Sequence, residues 1–479
     1  MFTERTRRDF MKITASGLAA SATTQALGVP SSSTSVYGAS GEIAVRVTDE
    51  KQRFASAPSL DWRESRGDNP SEETIIINPE RKFQNILGFG AAFTDASCYL
   101  FSQMSAEKRE QLFHELFHPS ELGLSVCRTC IGASDYSTEV YSFDEGDPDP
   151  ELERFSIDHD RKYFLPALQQ ARKVNPDLFL FSSPWSPPGW MKANGSMLGG
   201  SMRKKYFKAY AQYFLKFLQA YAAENVPIQA VTTQNEVDTD QDGKMPACLW
   251  GQEYEIEFVA QHLGPLLRAN AIPTRIWLLD HNYNLWGRAI CELDDPAVRQ
   301  HAAAVAWHGY AGSADMMSKV HDAHPDVEMH WTEGGPDYTS LSYATDWAQW
   351  GRTFTQALRN WCRSITGWNL ALDEHGRPNI GPFPCGGLVT IISQTKEITR
   401  SGQYWAFVHF SRLVRRGATR LDSQSTLNDI DHVVFENSDG RKVLVLTNGG
   451  PQRSIALQLG PSTADLTVAS NSVTTLAWA

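Results

Sequence analysis

Hydrophobic and polar positions divide the chain into three stretches. Residues 41–80 read as extended, with apolar clusters Ile43-Ala44-Val45-Arg46-Val47 and Thr74-Ile75-Ile76-Ile77. Between about 86 and 372 the pattern changes, and short apolar runs alternate with longer segments of helical periodicity. The runs fall at 86–90, 124–131, 178–182, 228–233, 275–279, 303–307, 327–332 and 364–370. Helices are expected at 105–117, 159–174, 203–224, 252–270, 295–302, 313–323 and 346–362. An aromatic stripe in the third of these, Tyr206, Tyr210, Tyr213, Phe214, Phe217 and Tyr221, has the spacing of a core-facing side. Eight strands alternating with helices predict an α/β fold, a (β/α)8 TIM barrel, with a doubly wound open sheet as the competing arrangement. The last stretch is all-β. Runs at 432–436, 442–446, 454–457, 466–469 and 473–478 are separated by Gly, Asn and Ser turns. The strands at 41–77 lack helical partners and are expected to join this module, with the barrel inserted between. The resulting division is 31–84 for a linker and the N-terminal sandwich strands, 85–410 for the barrel, and 411–479 for the C-terminal β-sandwich.

Composition adds a constraint. The chain has 479 residues, 42% hydrophobic and 21% charged, which is the make-up of a globular protein with a large core. Its net charge of −11 lacks the basic excess of a nucleic-acid binder, so no nucleic-acid partner is expected. Residues 1–30 read as an address. Thr6-Arg7-Arg8-Asp9-Phe10-Met11-Lys12 is a twin-arginine pattern, followed by a mildly apolar small-residue run and a small-x-small site at Ala26-Leu27-Gly28. This predicts twin-arginine export and a periplasmic or extracellular location. No later run reaches the ~18 apolar residues of a transmembrane helix. Seven cysteines, an odd number without framework spacing, predict free thiols. Cys127-x-x-Cys130 lies in a strand, where residues three apart face opposite sides, so it is read as buried thiols and not as a metal or redox pair.

A barrel carries its chemistry at the C-terminal ends of its strands. The first seven runs are followed there by Thr94-Asp95, Asp135, Trp185, Asn235-Glu236, Asp280-His281, His308-Gly309-Tyr310 and Glu333-Gly334-Gly335, and the eighth carries Trp368-Asn369. Glu236 and Glu333 end the fourth and seventh runs. Two facing glutamates are the equipment of glycoside hydrolysis, one protonating the leaving oxygen while the other stays ionised. Two glycines after Glu333 would let a ligand approach closely. Arg128 interrupts the apolar second run, and a buried guanidinium there calls for a carboxylate partner that it would keep ionised.

These motifs resemble glycoside hydrolase family 30, the glucosylceramidases and β-1,6-glucanases. The resemblance rests on five segments. They are Gly88-Phe89-Gly90-Ala91-Ala92-Phe93-Thr94-Asp95-Ala96, Ser182-Ser183-Pro184-Trp185-Ser186-Pro187-Pro188-Gly189-Trp190-Met191-Lys192, Gln234-Asn235-Glu236, Thr332-Glu333 and Gly367-Trp368-Asn369-Leu370-Ala371-Leu372. It implies Glu236 as general acid/base and Glu333 as nucleophile of a retaining mechanism. It implies Asn235 on the sugar 2-hydroxyl, and Asp135, Trp185 and Trp368 on the remaining hydroxyls. Arg128, His308 and Tyr310 would line the site near the nucleophile. The family fold is a (β/α)8 barrel with a β-sandwich built from both chain ends. No cofactor or metal is implied, and the partner is a carbohydrate or glycolipid substrate. Val237 stands where the family usually has proline, and Pro378-Asn379-Ile380-Gly381-Pro382-Phe383 differs from the human-type glucosylceramidase pattern. A β-glucoside-type substrate is therefore expected, with glucosylceramide, β-1,6-glucan and other β-glycosides (a xyloside or fucoside) open. A non-catalytic carbohydrate-binding protein on this fold is the alternative class.

Two further motifs are weighed as metal signals. Asp238-x-Asp240-x-Asp242-Gly243 matches half of a calcium loop, but its twelfth position is Leu249 and not a glutamate. A solvated acidic turn, bordering the leaving-group side of the cleft, is the expected reading. His321-x-x-His324 is read as a surface-helix pair.

Overall fold

The structure is a computed structural model, and it describes residues 41–65 and 72–479. The twin-arginine pattern, the cleavage site and the Ser-rich linker lie outside the described residues. Each of the eight apolar runs forms a strand: β1 (Gly88–Phe93), β2 (Val126–Cys130), β3 (Phe179–Ser183), β4 (Ala230–Thr232), β5 (Arg275–Asn282), β6 (Ala302–His308), β7 (Glu328–Glu333) and β8 (Cys362–Asn369). All neighbours are parallel, and β8 pairs with β1 to close the ring. This excludes the doubly wound open sheet. The strands are buried along nearly their whole length, which is why they read as continuous apolar runs.

Helices cover the outside of the ring. The aromatic stripe lies on helix Phe207–Ala223, where Tyr210, Tyr213, Phe214, Phe217 and Tyr221 are fully buried as expected of a core face. Three described helices were not legible in the pattern: Asp95–Ser102, Trp286–Leu293 and Gly402–Ser411. The last of these is buried on almost every side, so it carries no amphipathic period to detect.

Ten strands from both chain ends form one continuous sheet. Glu42–Thr48 lies between Ala55–Asp61 and Ser472–Trp478, and Thr74–Asn85 lies between Thr419–Gln424 and Arg453–Leu459. The sheet folds back on itself around a core of Ile43, Val45, Ile75, Ile77, Leu444, Leu457, Leu476 and Trp478. Trp62 meets Trp478 edge-on across that core at 5.5 Å. Where a sheet face meets solvent the burial alternates, as in Glu42–Thr48 and Ser462–Val468. Strands Lys442–Asn448 and Ser472–Trp478 are buried on both faces, because helices Trp347–Arg359 and Gly402–Ser411 pack on them from the barrel side. At that seam His409 is fully buried, with its ring nitrogens 2.8 Å from Thr475 Oγ1 and 2.8 Å from Thr48 Oγ1. Burial without a charged partner lowers its pKa to about 3. No helix among the described residues is long and apolar enough to cross a membrane.

Candidate active site

Inside the ring, alternate residues of each strand point at the axis. The lower level is dry: Val126, Phe181, Ala230, Trp277, Ala304 and Ala306 pack together. Two residues further along, the same faces carry Arg128, Ser183, Thr232 and His308. On β5 regular alternation would aim Leu279 inward. Instead Leu279 (φ 73°) and Asp280 (φ 50°) both adopt left-handed backbone, and the pairing with β6 slips by one residue at this point. The result is a β-bulge that sends Leu278 and Leu279 together into the outer core and turns Asp280 inward.

Asp280 and Arg128 organise the upper level. Both are fully buried. Arg128 Nη2 donates to Asp280 Oδ2 at 2.6 Å and to Asn235 Oδ1 at 2.7 Å, its Nε donates to Ser183 Oγ at 3.1 Å, and its Nη1 pairs with Glu333 Oε2. Asp280 Oδ2 also accepts from the Ser183 and Thr232 hydroxyls at 2.7 Å each, and Oδ1 from Thr332 Oγ1 at 2.7 Å. His308 Nε2 lies 3.1 Å from Asp280 Oδ1. Burial alone would favour protonated Asp280, but the Arg128 and His308 charges outweigh it and hold its pKa far below the usual carboxylate range. Asp280 was noted in the sequence only as a residue following the fifth run. The bulge that makes it the anchor has no sequence period to reveal it.

Glu333 ends β7 and is buried, with Tyr310 donating to its Oε1 at 3.1 Å. The Tyr310 ring is half exposed at the mouth, and its loop is held by Asn282 Oδ1, which accepts from the Tyr310 and Ala311 amides. Glu236 also has a left-handed backbone (φ 52°), and its amide donates to Asp280 O at 3.1 Å. Gln241 Nε2 donates to Glu236 Oε2 at 2.6 Å, while His308 Nδ1 and His281 Nδ1 lie 3.7 and 4.0 Å from Oε1. His308 Nε2 is also 3.7 Å from Glu333 Oε2, so one imidazole stands between the two glutamates. Burial would lower the His308 pKa, but Glu333, Asp280 and Glu236 push it up to about 9. Burial of Glu236 favours the neutral acid, yet the neighbouring His308, with His281 and the Gln241 hydrogen bond, brings its pKa below the usual value.

A cavity of about 460 Å³ opens above these groups, within the ~300–1,000 Å³ of small-ligand sites. Glu236 and Glu333 line it together with Asp135, Trp185, Asn235, Tyr310 and Trp368. Trp185 and Trp368 stack at 5.0 Å with 18° between their planes, and Arg128 lies 4.6 Å from the Trp185 ring centre. Asp135 Oδ1 has no hydrogen-bond partner in the protein. Burial, then the charges of Glu333 and Glu236, raise its pKa well above the carboxylate range, which favours the protonated form that can donate a hydrogen bond to a ligand oxygen. All nine residues singled out in the sequence therefore converge here; His308 lies beneath the cavity and Arg128 behind Glu333 and Trp185. Sequence reasoning noted Asp280 and His281 after the fifth run without giving them a role, and passed over Gln241.

The glycines after Glu333 have a different reason from the one expected for both. A Cβ on Gly334 would come within 2.2 Å of the Trp331 ring, so packing against that tryptophan demands its absence; only Gly335 lines the cavity. The acidic loop borders the cavity through Thr239 and Gln241. Its carboxylates go to separate partners: Asp238 to His281, Asp240 to the amide of Asp242, and Asp242 to Lys244. They form no metal cluster among the described residues. His321 stacks on Trp361 and His324 faces Asp294, so that pair is split. All seven cysteines are free, with Cys127 in the outer core and Cys130 facing Trp185 and Trp368.

Comparison with known proteins places these features. The family model described as the glycosyl hydrolase family 30 TIM-barrel domain matches residues 86–414, and that of the family 30 beta sandwich domain matches 417–476. An endo-1,6-beta-D-glucanase of Neurospora crassa is 32% identical, over 78% of this chain and 81% of its own. The lysosomal acid glucosylceramidase of Mus musculus is 28% identical, over 78% of this chain and 77% of its own. Among solved structures, an endo-beta1,6-glucanase is 30% identical with a TM-score of 0.82, covering 92% of this chain and 100% of its own.

Proposed function

The chain belongs to glycosyl hydrolase family 30, and from that premise we propose that it cleaves a β-glucosidic bond with retention of configuration, through Glu333 as nucleophile and Glu236 as general acid/base. The observation that carries the reading is the division of labour around Arg128. Glu333 is held by a buried guanidinium and by the Tyr310 hydroxyl, which fix its carboxylate in place for attack. Glu236 carries no guanidinium: it faces the open cavity, bonded to Gln241 and flanked by His308 and His281. In the first step Glu333 attacks the anomeric carbon as Glu236 delivers a proton to the leaving oxygen. In the second, Glu236 takes a proton from a water whose oxygen bonds to the anomeric carbon as the bond to Glu333 breaks, which releases the sugar. Asn235, fixed by Arg128, would receive the 2-hydroxyl, and neutral Asp135 would donate to another hydroxyl beside the stacked Trp185 and Trp368.

The first substrate proposed is a β-1,6-linked glucan, supported by the endo-1,6-glucanases among the relatives. A glucosylceramide-like substrate is the second reading. It is favoured by Phe383, half exposed at the cavity wall and suited to an apolar aglycone. The test is hydrolysis of a panel of β-1,6-glucan, glucosylceramide and aryl β-glucoside, β-xyloside and β-fucoside. Glu236→Ala and Glu333→Gln should each lose at least about 10³-fold in turnover while still binding sugar. Proton NMR of the first-formed anomer should show β product; α product would overturn retention. Binding without release from any member would favour the non-catalytic reading. We further propose that the chain acts outside the cytoplasm; replacing Arg7-Arg8 by two lysines should keep it inside.

A further inference from the structure

We propose that Glu236, His281 and His308 form a binding site for a divalent transition-metal ion of the zinc class, and that occupancy switches the enzyme off. One ligand atom from each of the three residues lies within 4.8 Å of the others. Both imidazoles present Nδ1 to the same oxygen, Glu236 Oε1, at 3.7 and 4.0 Å. Both Nδ1 atoms are buried and have no hydrogen-bond partner in the protein. A tetrahedral zinc with bonds of 2.0–2.2 Å needs ligand atoms about 3.4 Å apart, so the two imidazole–Oε1 gaps must close by a few tenths of an ångström, and the two nitrogens, within 4.8 Å of each other, by at most about 1.4 Å.

The second layer is already in place. His281 Nε2 is 2.5 Å from Asp238 Oδ1, and His308 Nε2 is 3.1 Å from Asp280 Oδ1. A carboxylate on the far nitrogen is the arrangement that orients a metal-binding histidine. The remaining position opens to the cavity through Glu236 and His281, which gives the ion its path and a water its place. Two imidazoles and one carboxylate select zinc, copper or nickel over calcium or magnesium, which need oxygen ligands. An ion there occupies the carboxyl oxygen that the glycosidic oxygen must meet, so it competes with substrate. The inhibition rests on the proposed role of Glu236; the binding does not.

The test uses the full chain with Cys291→Ser, which removes an exposed thiol that would bind soft metals elsewhere. Cobalt(II) titration is read by visible absorption, and zinc by calorimetry and by inhibition relative to each variant's own metal-free rate. The expected result is one strong site per chain, with visible bands of low-coordinate cobalt that a sugar ligand displaces. His281→Asn should abolish those bands. Asp238→Asn, which leaves all three ligands present, should weaken zinc by ~10–100-fold and raise the inhibitory concentration in parallel. Unchanged bands and inhibition in both variants would overturn the site and send the ion elsewhere, such as the stacked surface pair His114 and His118. Cobalt bands that respond to His281→Asn without zinc inhibition would leave the metal site standing and refute the assignment of Glu236 as acid/base.

Discussion

The lower and upper halves of the barrel interior are built by the same eight strands, two residues apart, and have opposite character. Below, Val126, Phe181 and Trp277 meet alanines from β4 and β6, and Trp277 stacks on His330 at 4.1 Å. Above, Arg128, Ser183, Thr232, Asp280 and His308 form a hydrogen-bonded network around a buried cation. The lower half can be close-packed because most of its residues are aliphatic or aromatic and carry no charge to pair. The upper half tolerates charges only because every one is paired, and removing a partner exposes the remaining ones to a low-dielectric interior. The difference teaches where stability ends and chemistry begins. A dry floor holds the strands, and a polar ceiling holds the reacting groups.

The sharpest way to break this contrast is to remove the cation. Arg128→Met should cost ~3–5 kcal/mol of stability, because two buried carboxylates, Asp280 and Glu333, lose the guanidinium they share. Turnover should fall by more than about 10³-fold, since Glu333 loses both its charge partner and its position. Denaturant unfolding and single-turnover kinetics read the two effects separately. Trp277→Ala breaks the floor instead. Removing this fully buried ring should cost a similar ~3–5 kcal/mol, yet the rate per folded molecule should stay within about threefold of the parent. A large rate loss in that variant would show that the two levels are mechanically coupled.

Smaller effects sharpen the picture. Buried Glu255 accepts from Thr233 Oγ1 at 2.7 Å and from the Leu279 amide at 3.1 Å, and Arg288 pairs with it. It therefore braces the end of β4 and the bulge of β5 from outside the ring. Glu255→Gln should cost ~1–3 kcal/mol and lower kcat with little change in KM, because it displaces Asp280 and not the sugar. The smallest effect tests the seam with the sandwich. His409 has a folded pKa of about 3, against an ordinary value near 6.5, so the unfolded chain binds its proton first as pH falls. Its contribution is complete above about pH 6.5 and is lost progressively towards pH 3, by up to ~1.4 kcal/mol per pH unit. His409→Asn should flatten the fall in thermal midpoint between pH 7 and 5 relative to the parent, whatever its effect at neutral pH.

Much of the fold was legible because a strand buried on both faces leaves a continuous apolar run, and all eight barrel strands do so. The free half of the sandwich was legible by alternation. Helix Gly402–Ser411 was not, since a helix buried all round shows no period, and strand Thr419–Gln424, Thr-Arg-Leu-Asp-Ser-Gln, is polar in sequence yet mostly buried in the structure. Its Arg420 side chain finds an aromatic shelter 3.6 Å from the centre of Phe83. That contact bridges residues more than three hundred positions apart, which no local pattern carries. Among site residues, the rim glutamates, tryptophans and Arg128 were visible because each breaks or ends an apolar run.

Residue type and spacing alone thus determined the barrel, its junction with an all-β module, and a pair of carboxylates at its rim, since burial periodicity is a local property of the chain. Only the tertiary structure decided which groups surround those carboxylates. A one-residue bulge in β5 chose Asp280 over Leu279 as the partner of Arg128, and a left-handed turn at Glu236 brought its carboxyl to the unbonded Nδ1 atoms of two imidazoles. Both outcomes depend on backbone geometry settled by neighbouring strands, because hydrogen bonds and charges act over a few ångströms of space and take no account of distance along the chain.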